Sequence, residues 1–321
     1  SLKIRLGYVA MSSVLQNCSP SKTITAGNLS KIEPKEARHS RLLRLARENL
    51  HNTQRLFFHN KAHDIKVFRL TSKLIPLATH PLAEDWNWYE QLQEQLASLG
   101  EYARQNGFRL SAHPDHYTLL NSPREEVVSA SLRDLEYHHK IFQAMQMDAS
   151  AKLVIHVGGS YKNKKESLQR FKENFALIPA EIRSRIILEN DDKIFTVAEV
   201  LELCHQIHIP MVLDIHHHWC NNQGDDIRDY FGDILATWKE ESFPPKVHVS
   251  SPRSSRNIRA HADYVDVEFF MSFVDKIRGY NTDIDVMIEA KKKDGALFQL
   301  MDDLKKVPSI KILDEATILA E

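Results

Sequence analysis

The sequence predicts a closed (β/α)8 TIM barrel, one domain over residues 1–321, with the barrel spanning about 3–306 and a short tail over 307–321. Three observations carry that expectation. Short β-branched runs alternate with long amphipathic stretches eight times along the chain, the pattern of repeated βα units. The 321 residues suit a barrel of about 250 residues plus insertions. Neither a Gly-x-Gly-x-x-Gly turn nor a Walker loop occurs, which removes the commonest reason for an open, doubly wound sheet.

The predicted strands are 4–10, 65–70, 108–112, 153–157, 185–188, 211–215, 246–249 and 284–288. Between them, helical periodicity covers 34–60, 85–106, 123–146, 165–178, 197–207, 226–241, 268–278 and 297–306. Ser122-Pro123-Arg124-Glu125-Glu126 and Thr196 before Val197 are helix-start signals. The tail reads as a short terminal helix or a partly ordered end.

Composition narrows the class. With 42% hydrophobic and 26% charged residues, the chain has the makings of a large globular core. No apolar run reaches the roughly 18 residues of a membrane span, and the first residues enter a strand with no leader pattern. Cys18, Cys204 and Cys220 have no metal-binding or disulfide spacing, which suits a reducing cytoplasm. The expected location is therefore cytoplasmic, nucleoid-associated in a bacterium.

Seventeen histidines stand out, and their placement matters more than their number. In a barrel of this kind, chemistry sits at the C-terminal ends of the strands. His113 ends the third predicted strand, His156 the fourth and Glu189 the fifth; Asp214-Ile215-His216-His217-His218 ends the sixth, His248 the seventh and Glu289 the eighth. His80 follows the second strand, and His261 lies in the loop after the seventh. Any one of these could be a packed histidine or a surface carboxylate. Independent core residues, however, have no reason to recur at the same end of successive strands, and gathered carboxylates repel unless cations neutralise them.

A mixed His/Asp/Glu set without cysteine suits Zn2+ or Mn2+ rather than Ca2+ or an iron–sulfur cluster. It exceeds what one four- to six-coordinate ion can use, so two or three divalent ions are expected, Mn2+ first, with Zn2+, Co2+ and Mg2+ as alternatives. Such clusters suit phosphodiester hydrolysis, because they activate water and stabilise the attacking and leaving oxygens. Sugar isomerisation or epimerisation is the rival chemistry of similar barrels.

Cationic loops separate the two. Lys162, Lys164 and Lys165 follow the fourth strand, Arg253, Arg256 and Arg259 the seventh, and Lys291, Lys292 and Lys293 the eighth. A single basic run is usually a solvated face, but three on the catalytic rim of a chain of net charge −1 point to a polyanion. Gly158-Gly159-Ser160 and Ser250-Ser251 are small enough to admit a close backbone.

Several segments carry a family resemblance. They are Gly7-Tyr8-Val9, Cys18-Ser19-Pro20-Ser21-Lys22-Thr23, Pro76-Leu77-Ala78-Thr79-His80 and His113-Pro114. Further on come Ile155-His156-Val157-Gly158-Gly159, Leu188-Glu189-Asn190-Asp191-Asp192-Lys193 and Pro245-Lys246-Val247-His248-Val249-Ser250-Ser251-Pro252. Arg259-Ala260-His261-Ala262-Asp263-Tyr264-Val265 and Met287-Ile288-Glu289-Ala290-Lys291 complete the set. Over about residues 3–305 the chain resembles the UV damage endonuclease family, itself similar in fold and metal centre to endonuclease IV.

The resemblance implies an ATP-independent repair enzyme, without nucleotide cofactor, that incises double-stranded DNA immediately 5′ to cyclobutane dimers and 6-4 photoproducts. It implies a bridging Glu189, with Asp214, His248 and Glu289 on one side, His217 and His261 on another, and His80, His113 and His156 completing the shell. A monomer suffices for one damaged site. An abasic-site endonuclease is the neighbouring alternative.

His217 is preferred to His216 because the family pattern is Asp-x-x-His, whereas strict alternation would favour His216; His216 and His218 are expected to support. Lys246, two residues before His248, should face the barrel interior, where an ammonium beside cations is unfavourable. It is expected to be neutral or carboxylated at Nζ, an acidic ion-pair partner being the alternative. Glu189, Lys246 and Glu289 are the candidate catalytic groups. Lesion recognition in the family uses a polar-aromatic pair after the His-Pro loop, usually with glutamine first; here it is His116-Tyr117. Tyr8 is a further candidate contact, as are Lys162, Arg253, Arg256, Arg259 and Lys291, and Ser12 takes the place of a family asparagine.

Overall fold

Each β-branched run becomes a strand of one sheet, and alternation sends successive side chains to opposite faces. The computed structural model describes residues 1–321. Its first half comprises β1 (Leu2–Val9), α1 (Ala26–Ser30), α2 (Lys35–Ala62), β2 (Val67–Leu70), α3 (Trp88–Gln105), β3 (Arg109–Ala112), α4 (Glu125–Ala144) and β4 (Lys152–His156). There follow α5 (Lys164–Ala176), α6 (Ala180–Arg183), β5 (Ile186–Glu189), α7 (Val197–Ile207), β6 (Met211–Asp214), α8 (Ile215–Cys220) and α9 (Phe231–Ala236). The last elements are β7 (Lys246–Val249), α10 (Val267–Ile277), β8 (Asp283–Ile288), α11 (Lys293–Leu304), β9 (Ile310–Asp314) and β10 (Thr317–Ala320).

Strands β1 to β8 run parallel in chain order, and β1 pairs with both β2 and β8, closing the barrel. The predicted architecture is the observed one. Gly7 is needed where β1 crosses β2, since a Cβ there would lie 2.2 Å from the Val67 carbonyl oxygen.

Outward-facing residues such as Ile4, Leu6, Tyr8, Phe68, Leu110, Ile155 and Leu188 pack under the helices in the main core. The inward face is different. Val154, Ile187 and Val212 form, with Trp238, a small separate apolar cluster. Towards the strand starts lies a polar floor in which Asp285 accepts from Arg5 and Arg109. Towards the strand ends lie the histidines and carboxylates.

Helix α2 buries Leu42, Leu45, Ala46, Asn49, Leu50, Thr53, Leu56 and Phe57 at helical spacing. Its 28 residues span about 42 Å at 1.5 Å per residue, three times the reach of the four-residue β2. Its first half therefore runs beyond the strand ends. Asn49 donates to the Leu74 carbonyl in the loop after β2, and Lys35 pairs with Asp85.

Two expectations are corrected. The helix expected over 226–241 is broken into a 3-10 turn at Ile227–Asp229 and the short α9. Thr237 ends α9 by bonding back to the Ile234 carbonyl while accepting from the Met211 amide, and Trp238 then turns in to donate to the Met211 carbonyl. The tail is neither a helix nor a loose end. It forms the β9–β10 hairpin, and β10 pairs antiparallel with Leu2–Arg5. β2 covers β1 only at Gly7–Val9, so the first half of β1 would otherwise present an unpaired edge.

Candidate metal centre and nucleic-acid rim

The strand ends deliver their polar residues to one place. His156, Glu189 and Asp214 are the last residues of β4, β5 and β6; His248 lies in β7; His113 and Glu289 immediately follow β3 and β8. Two groups of candidate ligand atoms result, each within 4.8 Å of one another: His113, His156 and Glu189; and Glu189, Asp214, His248 and Glu289. Glu189 belongs to both. Its Oε1 lies 3.2 Å from His113 Nε2 and 2.6 Å from His156 Nε2, and its Oε2 lies 2.5 Å from His248 Nδ1.

The electrostatics call for cations. Burial disfavours the Glu189 anion, but the neighbouring His248, His113 and His156 hold its carboxyl well below the usual range. Burial, with the charges of Glu189 and Glu289, pushes the Asp214 carboxyl well up. Asp214 Oδ2 is buried without a hydrogen-bond partner, although Oδ1 accepts from the His217 amide. Burial lowers His248 to about 4.

Hydrogen bonds to the outer imidazole atoms fix which nitrogens are free. His113 Nδ1 is 3.0 Å from the Pro114 carbonyl and His217 Nδ1 is 2.7 Å from the Asn190 carbonyl. Carbonyls only accept, so both Nδ1 atoms carry protons and each Nε2 of the neutral ring keeps its lone pair. A lone pair on His113 Nε2 facing a carboxylate oxygen needs a proton or a cation between them. The donor set and the orphaned Asp214 oxygen thus fit divalent ions. His216 differs: Nε2 donates to the Ile258 carbonyl and Nδ1 pairs with Ser250 Oγ. Both nitrogens are used, so His216 has no ring lone pair free for an ion.

Other expected residues are placed apart. His80 Nδ1 accepts the Leu82 amide at the start of a 3-10 turn, outside both ligand groups. His261 is also outside them, its ring 5.6 Å from that of His216. Lys246 Nζ is fully buried with neither a hydrogen-bond partner nor an acidic group within ion-pair distance, so the ion-pair alternative does not hold. Burial, then Arg109 and Arg69, push its ammonium well down.

Tyr8 cannot touch DNA. Strand alternation puts it on the outer face of β1, fully buried, where its hydroxyl donates to Asn60 Oδ1 at 2.6 Å. Ser12 is likewise committed, its Oγ donating to Asp294 Oδ2. Gly158 serves loop packing rather than a ligand's approach: φ is +118° and a Cβ would lie 2.0 Å from Asn121 Oδ1.

The rim itself is cationic and aromatic. Lys162, Arg253, Arg256 and Lys291 are exposed, and none has an acidic partner. Arg259 leans towards Asp192, its Nε 3.8 Å from Oδ2. Lys164 leaves the expected cluster, because its Nζ binds Glu199 and the Ile194 carbonyl. Lys293 turns inward, and burial and Arg69 lower its ammonium. His116 and Tyr117 stand in the open with ring centroids 4.0 Å apart, Tyr117 being 71% exposed.

Two features escaped the sequence reading. Arg69, buried on β2, donates to Glu289 Oε2 at 2.8 Å and lies 3.3 Å from His248 Nε2. Strand parity could have found it, since it alternates with Val67 on the inward face. Tyr161, Trp219 and Tyr264 are exposed aromatics in segments that leave strand ends, and periodicity carries no signal for exposure in loops.

The chain is similar to known proteins over nearly its whole length. The family model described as UV-endonuclease UvdE matches residues 4–319. The UV DNA damage endonuclease of Halalkalibacterium halodurans is 44% identical over 318 residues, covering 99% of both chains. The crystal structure of SacUVDE superposes with a TM-score of 0.84 at 33% identity, covering 95% of this chain and 99% of that one. Endonuclease IV from Thermus thermophilus shares the fold at a TM-score of 0.50 and 16% identity, covering 88% and 91%. With a family model spanning nearly the whole chain and relatives aligned end to end, this protein belongs to the UV-endonuclease UvdE family.

Proposed function

We propose that this protein is a DNA repair endonuclease that nicks double-stranded DNA immediately 5′ to ultraviolet photoproducts by metal-dependent hydrolysis. The observation that carries the reading is the double membership of Glu189, one carboxylate shared by both candidate ligand groups. His113, His156, Glu189, Asp214, His217, His248 and Glu289 would hold two or three divalent ions, Mn2+ foremost. His80 and His261 join that set on family resemblance alone. Bound ions supply Lewis acidity and lower the pKa of water.

The chain's own residues do the rest. Asn190 accepts from His217 Nδ1 and, through its side chain, brackets the Asp214 backbone, so both side chains keep one orientation. Arg69 holds Glu289. Lys246, kept from charging by burial, faces the floor of the centre as a neutral amine or its Nζ-carboxylate. Lys162, Arg253, Arg256, Arg259 and Lys291 grip phosphates, which position the duplex without reading sequence. His116 and Tyr117 offer flat faces to the bases that a bulky lesion unstacks. One protomer contains all these parts, and none requires a nucleotide cofactor.

The test is strand cleavage on matched duplexes carrying a thymine dimer, an abasic site or no damage, with Mn2+ and with chelator. A metal-dependent nick 5′ to the dimer is expected. Cleavage only at the abasic site would reassign the enzyme to the endonuclease IV type, and no cleavage with metals bound would favour sugar chemistry.

A further inference from the structure

Outside the metal rim, the outer face of α2 carries an unabsorbed cluster of cations. A groove of about 680 Å³ is lined by Asn17, Lys22, Arg44, Arg47, His51 and Arg55, among others. Only one of its ten lining residues is hydrophobic, which excludes an apolar peptide or lipid tail as its natural occupant. Four of them are Lys or Arg and one, Glu48, is acidic. Glu48 is already turned to Lys22, at 3.7 Å. Arg44 and Arg47 are exposed and have no acidic partner.

The loop that leaves β1 links this groove to the end of β8. Arg55 donates to the Gln16 and Asn17 carbonyls, and Asn49 binds the Lys22 backbone, so the loop leaving β1 forms one wall. The same loop touches the exit of β8, where Ser13 Oγ donates to the Lys292 carbonyl. Side-chain-to-backbone hydrogen bonds at the two ends of this loop thus tie Lys292 to Arg55. Arg44, Arg47, His51 and Arg55 follow one another at i+3 and i+4 spacing on one helix face. They cover about 16 Å at 1.5 Å per residue, along which duplex DNA presents about five phosphates per strand at 3.4 Å each.

We propose that this face of α2 is a second phosphate track, which holds the duplex flank beyond the lesion and extends the footprint past the metal centre. The proposal rests on the endonuclease reading given above. Arg44 and Arg47 are the principal contacts, and Arg55 positions the wall. Nonspecific phosphate contacts of this kind raise affinity and salt dependence without altering chemistry.

The experiment compares wild type with Arg44→Gln/Arg47→Gln, in Mn2+, on a thymine-dimer duplex of about 40 base pairs and on one of about 12. Glutamine keeps helix propensity, and turnover on the short duplex reports folding in the same assay. On the long duplex KM should rise on the order of tenfold, and the slope of log(kcat/KM) against log salt should fall by about 1.8, two contacts at about 0.9 each. kcat should stay unchanged on both duplexes, as should KM on the short one. Unchanged KM and salt slope on the long duplex, with wild type nicking normally, overturn the α2 track alone. An equal loss on both duplexes overturns it too, because the effect then lies at the lesion. Wild type that does not nick the dimer overturns the endonuclease reading and the track with it.

Discussion

Arg69 Nη1 lies 2.8 Å from Glu289 Oε2, a buried ion pair inside the barrel at the edge of three gathered carboxylates. The guanidinium neutralises one carboxylate where the metal-free site would otherwise hold only repelling anions and imidazoles. Removing one partner of a buried pair leaves the other charge uncompensated. Arg69→Met should therefore destabilise the metal-free protein by about 3–5 kcal/mol in urea unfolding, with Mn2+ recovering part of the loss. Wild-type stability in that variant would show that the pair holds nothing in place.

The neighbouring imidazoles should behave differently. His217 keeps a free Nε2 while both nitrogens of His216 are engaged. His217→Ala should lose bound metal, read by elemental analysis, and cut turnover on the order of a hundredfold. His216→Ala should retain its metal but lose about 1–3 kcal/mol, the cost of leaving buried partners unsatisfied. Metal loss in His216→Ala alone would reverse the assignment.

Metal loading should be linked to pH through Asp214. Burial, then Glu189 and Glu289, raise its carboxyl in the folded chain, whereas unfolded Asp titrates at about 3.9. The folded state therefore binds the extra proton. That contribution to stability is full below the unfolded value and is lost as pH rises through the folded one. A divalent ion displaces the proton and needs the carboxylate. The rise in Tm on adding Mn2+ should grow with pH, and calorimetry in two buffers of different ionisation enthalpy should detect proton release. A Tm gain independent of pH would count against Asp214 as a ligand.

Two tyrosines make opposite forecasts. Tyr8→Phe removes a buried hydroxyl from Asn60 and should cost about 1 kcal/mol while leaving DNA affinity unchanged. Tyr117→Ala removes an exposed ring and should leave Tm unchanged. Its loss should weaken binding to dimer-containing duplex by about 1–3 kcal/mol, the scale of one base–aromatic contact. A Tyr117→Ala protein that binds the dimer as wild type does would remove that residue from recognition.

What the sequence determined by itself was the barrel and the identity of its rim. Strands of period two alternating with helices of period 3.6 are local patterns, and a barrel carries its chemistry at the strand ends, so Glu189, Asp214, His248 and Glu289 could be read directly from the chain. Tertiary structure decided what depends on facing and partnership. Tyr8 went outward into the core, where Asn60 of α2 receives its hydroxyl. Arg69 emerged because its partner, Glu289, is 220 residues away. His216 and His217 are adjacent and chemically identical side chains; the structure separates them because Ser250 and the Ile258 carbonyl engage both nitrogens of His216, whereas the Asn190 carbonyl engages only Nδ1 of His217. The tail became a hairpin because an unpaired stretch of β1 awaited it across the whole length of the chain. Local pattern fixes how each segment folds, but hydrogen-bond satisfaction between distant segments fixes what each side chain is free to do.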